Sequence, residues 1–492
     1  MAPGALNTLA QGFIVPMVAP LNIREGFPLD SLVMLSGMFQ QVGKFRSRLL
    51  MAYHEGIPMS AIQTSTSPSL DGSTDPALDA IQTKVESGIR LSAEDGLALM
   101  RSSDPWTVCS LADRVRRRMH GDLAWYNVNK HINYSNICAL SCSFCAFHRK
   151  RDQDGSYEYS LDDIRREAAA AIEAGATEVH IVGGLHPWLP FEYYTDMMRA
   201  IHEVAPTLHI KAFTAVEIVH LARISKRGRD GYEGIKSVLS DLKEAGLGSL
   251  PGGGAEVFDD RVHDEAFKGK IRGDVWLDVH RAAHELGLNT NATMLYGHVE
   301  RVEERVGHMI QLRRQQDRAL ADWAVDRRIV SQQDPEDKTS DAIVLTGPSD
   351  LYPDGRLPQP GQTEMGWFQT IVPLPFIPDN SELQHLPGPI GLENLRMIAV
   401  MRLMLDNIPH MKAFWIMHTL DMAQFMLQNG ANDIDGTVVW YDITKVEGSG
   451  THQETTVTDL QRAIREAGFI PKERDTLYRS VSRNGHEWTI ED

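Results

Sequence analysis

Four cysteines in 492 residues are too few for a disulfide scaffold, and three of them, Cys138, Cys142 and Cys145, fall within eight residues. Such usage suits a reducing cytoplasm. Positive charge is also scarce: 49 Lys and Arg stand against 66 Asp and Glu, a formal charge of −17. A field of that sign repels phosphate backbones and anionic lipid, which sets aside nucleic-acid and membrane-surface partners and leaves a small-molecule substrate. Long apolar runs are missing too. The stretch Gly12 to Ile23 is broken by Pro16, Pro20 and Asn22, short of the ~20 residues that span a bilayer. It does not follow a basic segment, as a secretory signal would. What is present is an apolar content of 42%, enough to bury the core of a barrel of ~250 residues with extensions.

Residues 31–53 are amphipathic and lead into TSTSPSLDGSTDP at 64–76, a Ser/Thr/Pro/Asp run typical of a linker. Residues 1–90 are therefore expected to form an N-terminal extension and linker. Helical patterns follow from Ser92, and a strand-like segment at 126–134 runs up to the cysteines. Further strand-like runs at 178–184, 209–214, 249–254, 290–297, 369–376, 411–417 and 437–443 alternate with helical stretches. That alternation predicts parallel βαβ units. Closed on itself, it predicts an α/β fold, a TIM-like (β/α)8 barrel spanning 91–450, with its chemistry at the C-terminal ends of the strands. A helix ending near Asp317 gives way to a polar stretch at 318–366, expected as a surface insertion. Helices are expected at 392–407, 418–429 and 457–467, the last within a C-terminal helix and tail at 451–492.

The sequence CALSCSFC sets Cys138, Cys142 and Cys145 in a C-x3-C-x2-C spacing directly after a strand. Three thiolates can ligate three irons of a cubane and leave the fourth iron open, whereas electron-transfer clusters are closed by four protein ligands. Zinc is the competing reading, because His148 stands three residues after Cys145 and could complete a tetrahedral set. Cys109 lies among apolar residues of a helical pattern and reads as a small core residue. Gly183 and Gly184 in VGGLHP would let backbone approach a ligand closely. GGGAE at 252–256 lacks the G-x-G-x-x-G spacing of a dinucleotide site. Glu256, and Glu217 after the third strand, are candidate acceptors for ribose hydroxyls; the alternative for each is a solvated helix-start carboxylate.

Together the segments NKHINYSNIC, SCSFCAF, VGGLHP, KAFTAVEI, LPGGGAE, TNATMLYGHVE, VPLPF and REAGFIPKERDTLY resemble one branch of the radical S-adenosylmethionine proteins, the branch serving futalosine-type menaquinone and F420 biosynthesis. The resemblance covers about residues 92–480. It implies a [4Fe–4S] cluster on the three cysteines and S-adenosylmethionine on the open iron. It implies that Gly183 and Gly184 receive the methionine amino group, that Gly297 and Glu300 flank the adenine, and that Phe144 binds cofactor beside the cysteines. An electron donor of flavodoxin or ferredoxin type is implied as partner. Within the branch, NATMLYGHVE and HMKAFWIM look most like the member that adds the adenosyl radical to the enol ether 3-[(1-carboxyvinyl)oxy]benzoate. The cyclising and tyrosine-using members are the alternatives, and a zinc-bound interaction protein is the alternative of another class. A substrate with two carboxylates needs donors in the barrel. His298, Lys412 and Asn291 are the expected catalytic-site residues, with Arg402 a further candidate and His186 beside the cofactor.

Overall fold

The computed structural model describes residues 75–143, 145, 147–326, 330–333, 343–345, 358, 364–379, 381–437 and 454–491. Phe144, most of the extension, most of the 318–366 stretch and nearly all of the strand expected at 437–443 lie outside the described residues.

The barrel strands are β1 (Leu123–Asn127), β2 (Asn129–Ile132), β3 (Glu178–Ile181), β4 (His209–Ala212), β5 (Ser249–Leu250) and β6 (Asn289–Tyr296). A small antiparallel pair follows, β7 (Val330–Gln333) with β8 (Ile343–Leu345), and then β9 (Phe368–Pro375), β10 (His410–Met411) and β11 (Asp433–Gly436). Seven of these make one curled parallel sheet in the order β10-β9-β6-β5-β4-β3-β2. The eighth place is taken by β11. It pairs in parallel with β1, Trp125 opposite Asp433 and Asn127 opposite Gly436. On its other edge the Ala413 N–H donates to the Asp433 carbonyl at 2.8 Å and the Asn432 N–H to the Met411 carbonyl at 3.1 Å. Because β1 and β2 are one strand broken only at Val128, eight parallel strands run around the barrel, as the alternating pattern predicts.

Two boundaries differ from the sequence expectation, and one strand is unexpected. That strand is Asp433–Gly436, which precedes the run expected at 437–443, itself outside the described residues but for Thr437. Of MKAFWIM only Met411 belongs to the strand His410–Met411, and the run then turns into the short helix Trp415–His418. The helix expected to stop near Asp317 continues to Asp326. The first of these strands reads Asp-Ile-Asp-Gly, a composition that strand propensity disfavours, and it is held by pairing on both edges instead.

Helices cover the barrel because their starts are capped locally. Ser160 with Asp163, and Thr214 with Glu217, form capping boxes at the helices Leu161–Glu173 and Ala215–Ile224. Residues 76–90, grouped with the extension on sequence, contain a helix, Pro76–Glu86, that buries Leu78, Ile81 and Val85. Arg90 then bridges Asp317 and Asp406 at 2.5 and 2.7 Å. Beyond the barrel, β12 (Ile470–Glu473) adds to the start of β1, and β13 (Val481–Asn484) pairs with β14 (Glu487–Ile490).

Candidate active site

The C-terminal strand ends surround a cavity of about 290 Å³. Cys138, Cys142 and Cys145 line its mouth, with Gly183, Gly184, Glu217 and Glu256 around its side and Asn291 and Lys412 further in.

The cysteine loop is tied to its own return at Arg149 and to the segment that follows β3. The Cys138 N–H donates to the Arg149 carbonyl at 3.0 Å, the Ala139 N–H to the Leu185 carbonyl at 2.8 Å, and the Leu185 N–H to Cys138 Sγ at 3.4 Å. Lys150 Nζ donates to the carbonyls of Cys138 and Leu140 at 3.0 and 2.9 Å. All three thiols are free of disulfides. Burial pushes the Cys142 thiol up to about 11 and raises Cys138 as well, so these side chains become thiolates only as a metal takes the proton's place. His148 lines the cavity, but its Nδ1 lies 2.9 Å from the Cys145 carbonyl. Among the described residues no three or more His, Cys, Asp or Glu side chains are grouped as for a single metal ion. A cubane asks for no such convergence, since each cysteine takes a different iron. The donor set fits a [4Fe–4S] cluster held by Cys138, Cys142 and Cys145.

Gly183 and Gly184 line the cavity, yet the reason glycine is required lies behind them. A Cβ on Gly183 would stand 2.6 Å from the Tyr134 ring, and one on Gly184 2.3 Å from the Ile137 carbonyl. These glycines let the end of β3 press against the segment that carries the cysteines. Glu217 reaches the same junction: one carboxylate oxygen accepts from the Gly183 N–H and the Tyr134 hydroxyl, each at 3.0 Å, and the other from the Thr214 N–H and hydroxyl at 2.8 and 2.7 Å. Burial pushes its carboxyl up to about 7 against these four donors. Glu217 is thus neither a solvated helix-start carboxylate nor an idle acceptor; it joins the ends of β3 and β4. Glu256 is held in the left-handed region, φ 65°, and its carboxylate is paired with Lys270. Lys270 also lines the cavity; burial works against its charge, but Glu256 and the neighbouring Cys142 outweigh that and raise its pKa.

Other expected residues stand apart from the cavity lining. Gly297 has φ 88° and lies under Pro389, 2.4 Å from where its Cβ would be. Glu300 accepts from the Gly297 and His298 N–H groups at 2.5 and 2.9 Å and pairs with Arg305 at 2.7 Å, closing the turn after β6. The His298 ring folds back onto the Leu295 carbonyl at 3.0 Å, edge-on to Phe267 and Phe376, and burial keeps it neutral. His186 is bound to Glu158 at 2.8 Å while its Nδ1 accepts from the Trp188 and Leu189 N–H groups. Arg402 is fully buried on the helix before β10 and donates to the carbonyls of Gly430 and Pro409 and to Asn432 Oδ1. It serves the opposite end of the barrel. Sequence reasoning missed His180, Lys211, Lys270 and Asp435, all of which line the cavity. Lys211 had a signal: a lysine within a four-residue strand that is otherwise mostly apolar and must put one face inside.

A barrel with three cysteines at its mouth defines a class, and comparison agrees. The radical SAM superfamily profile matches residues 132–312, and the CofH/MqnC C-terminal region profile matches residues 365–486. Aminodeoxyfutalosine synthase of Thermus thermophilus is 39% identical over 389 residues, 78% of this chain and 91% of that protein. The chain belongs to the radical S-adenosylmethionine family. The 5-amino-6-(D-ribitylamino)uracil–L-tyrosine 4-hydroxyphenyl transferase of Archaeoglobus fulgidus is 32% identical over 377 residues, 76% of this chain and 94% of that one. Among solved structures, methylornithine synthase shares the fold with a TM-score of 0.55 at 16% identity, over 80% of this chain and 97% of that one. Family membership implies a [4Fe–4S] cluster and S-adenosylmethionine. No helix among the described residues is long and apolar enough to cross a membrane.

Proposed function

We propose that this enzyme joins the adenosyl group of S-adenosylmethionine to 3-[(1-carboxyvinyl)oxy]benzoate, forming aminodeoxyfutalosine in menaquinone biosynthesis, with methionine released, the aryl group migrated, and the carboxyvinyl carboxylate lost as the electron returns. The observation that carries the reading is the cavity's polarity, cysteines at the mouth and Lys412 and Asn291 deep inside, in a chain that is 39% identical to an aminodeoxyfutalosine synthase. When bound, the cluster supplies the electron that splits S-adenosylmethionine into methionine and an adenosyl radical.

The protein's own part is to hold, orient and keep dry. Glu217 and the glycine pair fix the strand ends on which the nucleoside lies. Leu295, Val372, Leu374 and Phe414 wall the cavity between mouth and floor and exclude water that would compete for donors. Asn291 accepts from Gln369 through Oδ1 at 3.1 Å, which turns its amide N–H groups toward an acceptor. Lys412, held by Asp435 at 2.7 Å, supplies a charged donor for a substrate carboxylate. A flavodoxin- or ferredoxin-type protein provides the electron, and the cytoplasm the reducing setting.

The test is the fate of isotopically labelled adenosyl 5′ carbon in reduced, reconstituted protein. Label within a larger nucleoside supports the reading. Stoichiometric 5′-deoxyadenosine, with the enol ether untouched and a dehypoxanthinylated futalosine cyclised, transfers the assignment to the cyclase; consumption of tyrosine transfers it to the tyrosine-using branch.

A further inference from the structure

Inside the barrel, on the side of the cavity away from the cysteines, the strands carry charge that the sequence reading did not collect. Lys211 on β4 pairs with Glu178 on β3 at 2.6 Å, and Lys412 after β10 pairs with Asp435 on β11 at 2.7 Å. Arg474 joins Asp433 at 2.6 Å on the far side. Each cation here has a carboxylate, so the floor offers hydrogen-bond donors rather than surplus charge.

The donors are not used up. An ammonium has three N–H groups, and Lys211 gives one of its own to Glu178 just as Lys412 gives one to Asp435. Both lysines line the cavity, and Lys211 is only 2% exposed. His180 lines it too, and its Nε2 is buried without a hydrogen-bond partner. A buried polar atom left unpaired costs on the order of 1–3 kcal/mol, and a ligand oxygen is the partner it lacks. Asn291, across the cavity, presents its amide.

We infer that Lys211, together with Lys412 and with His180 as a neutral donor, forms a carboxylate-receiving subsite at the barrel floor, and that Lys211 is a specificity-determining residue for acidic aromatic substrates. The inference rests on the reading of the cavity as the substrate site. Glu178 is the positioning residue: it fixes where the Lys211 ammonium lies and favours its charged form. Burial lowers the Lys211 pKa, aided by the nearby Lys412 charge, and Glu178 offsets only part of the drop. Burial equally works against the Glu178 charge, but the ammoniums of Lys211 and Lys412 and the Arg474 guanidinium outweigh it and hold its carboxyl well below the usual range. His180 faces His131 on β2, Lys211, Lys412 and Glu178; burial, with the cations beside it, keeps the imidazole neutral, so it donates as an N–H rather than as a charge.

The test uses reconstituted full-length protein and the unreactive probe isophthalate, two carboxylates on one ring, titrated by calorimetry beside benzoate and L-tyrosine. Lys211→Met should weaken isophthalate at least tenfold, and His180→Asn less, with iron content unchanged. Because Lys211→Met leaves Glu178 buried and unpaired, the double variant Lys211→Met/Glu178→Gln accompanies it. If the folded double variant binds isophthalate as tightly as the parent, the subsite is refuted. If it forms labelled nucleoside product with an unchanged KM for the enol ether, the subsite is likewise refuted while the proposed reaction stands. If instead L-tyrosine binds in a Lys211-dependent way and isophthalate does not bind, the carboxylate subsite stands, the acidic-aromatic specificity is refuted, and the proposed reaction falls.

Discussion

Buried cations occur at both ends of this barrel, and their hydrogen bonds separate them. At the end where the strands begin, Arg402 gives its N–H groups to Gly430, Pro409 and Asn432. Nearby, Arg116 donates to the carbonyls of Ala431 and Gly121 at 3.2 and 2.5 Å, and Arg90 fills its fork with two aspartates. At the end where the strands finish, Lys211 and Lys412 each give one bond to one carboxylate and face a cavity. A saturated buried cation holds the chain together; one with donors to spare holds something that is not the chain. Phe213, Glu256 and Asp435 have positive φ at or beyond the finishing ends of strands, where strain is tolerated for function; Lys226, after the helix Ala215–Ile224, and Tyr478, stacked on His410, share that conformation away from those ends.

That contrast can be broken most sharply at the mouth. Replacing Cys138, Cys142 or Cys145 by Ala should abolish both iron loading and cofactor cleavage, because each thiolate holds its own iron. Iron per chain and methionine release check this. At the opposite end, Arg402→Ala should destabilise the fold by about 4 kcal/mol, from the cavity left and the charge-assisted hydrogen bonds lost. Denaturant titration measures it, and whatever protein remains folded should keep its product. An Arg402 variant of parental stability with altered product would erase the distinction between the two ends.

Glu217 is a pH probe of the junction. Its carboxyl is raised in the fold from 4.5 to about 7, so the folded state holds the proton more tightly than the unfolded chain does. Its stabilising contribution is therefore complete below pH 4.5 and declines as pH rises through 4.5 to 7, by about 3 kcal/mol in all. Glu217→Gln should flatten that part of the stability profile; an unchanged slope would place the titration elsewhere. Gly184→Ala should cost about 2 kcal/mol by forcing a Cβ onto the Ile137 carbonyl, and it should lower iron occupancy because the displaced segment leads into Cys138. The smallest effect belongs to Cys109→Ala, a change of roughly 1 kcal/mol in stability with full iron content, since Cys109 packs in the core and burial holds its thiol up at about 12.

Much of this molecule was legible in the order of its residues. Cys138, Cys142 and Cys145 are neighbours in the chain, so their spacing alone carries the cluster reading, and alternating strands and helices give the barrel before any contact is known. The misplacements share one cause. Arg402, His298 and Lys211 are comparable on sequence, each a polar side chain on or near a barrel strand. Which of them meets the cavity depends on which end of a strand it occupies and which way the pleat turns it. Those are properties of pairing between segments far apart. Arg402 sits in the last turn of the helix that leads into β10 and so lies at the starting end; Lys211 falls on the inward face of β4 because β4 is registered between β3 and β5.

The sequence by itself determined the chemistry that is local: three thiols in one loop, glycines where strands end, a capping box that places Glu217. Only the tertiary structure decided that Gly183 and Gly184 are small because Tyr134 and Ile137 lie behind them, that Asp433–Gly436 completes the barrel despite its composition, and that Lys211 meets Lys412. Hydrogen-bonded register between distant strands sets those facing relations, and a linear pattern of residue types does not contain it.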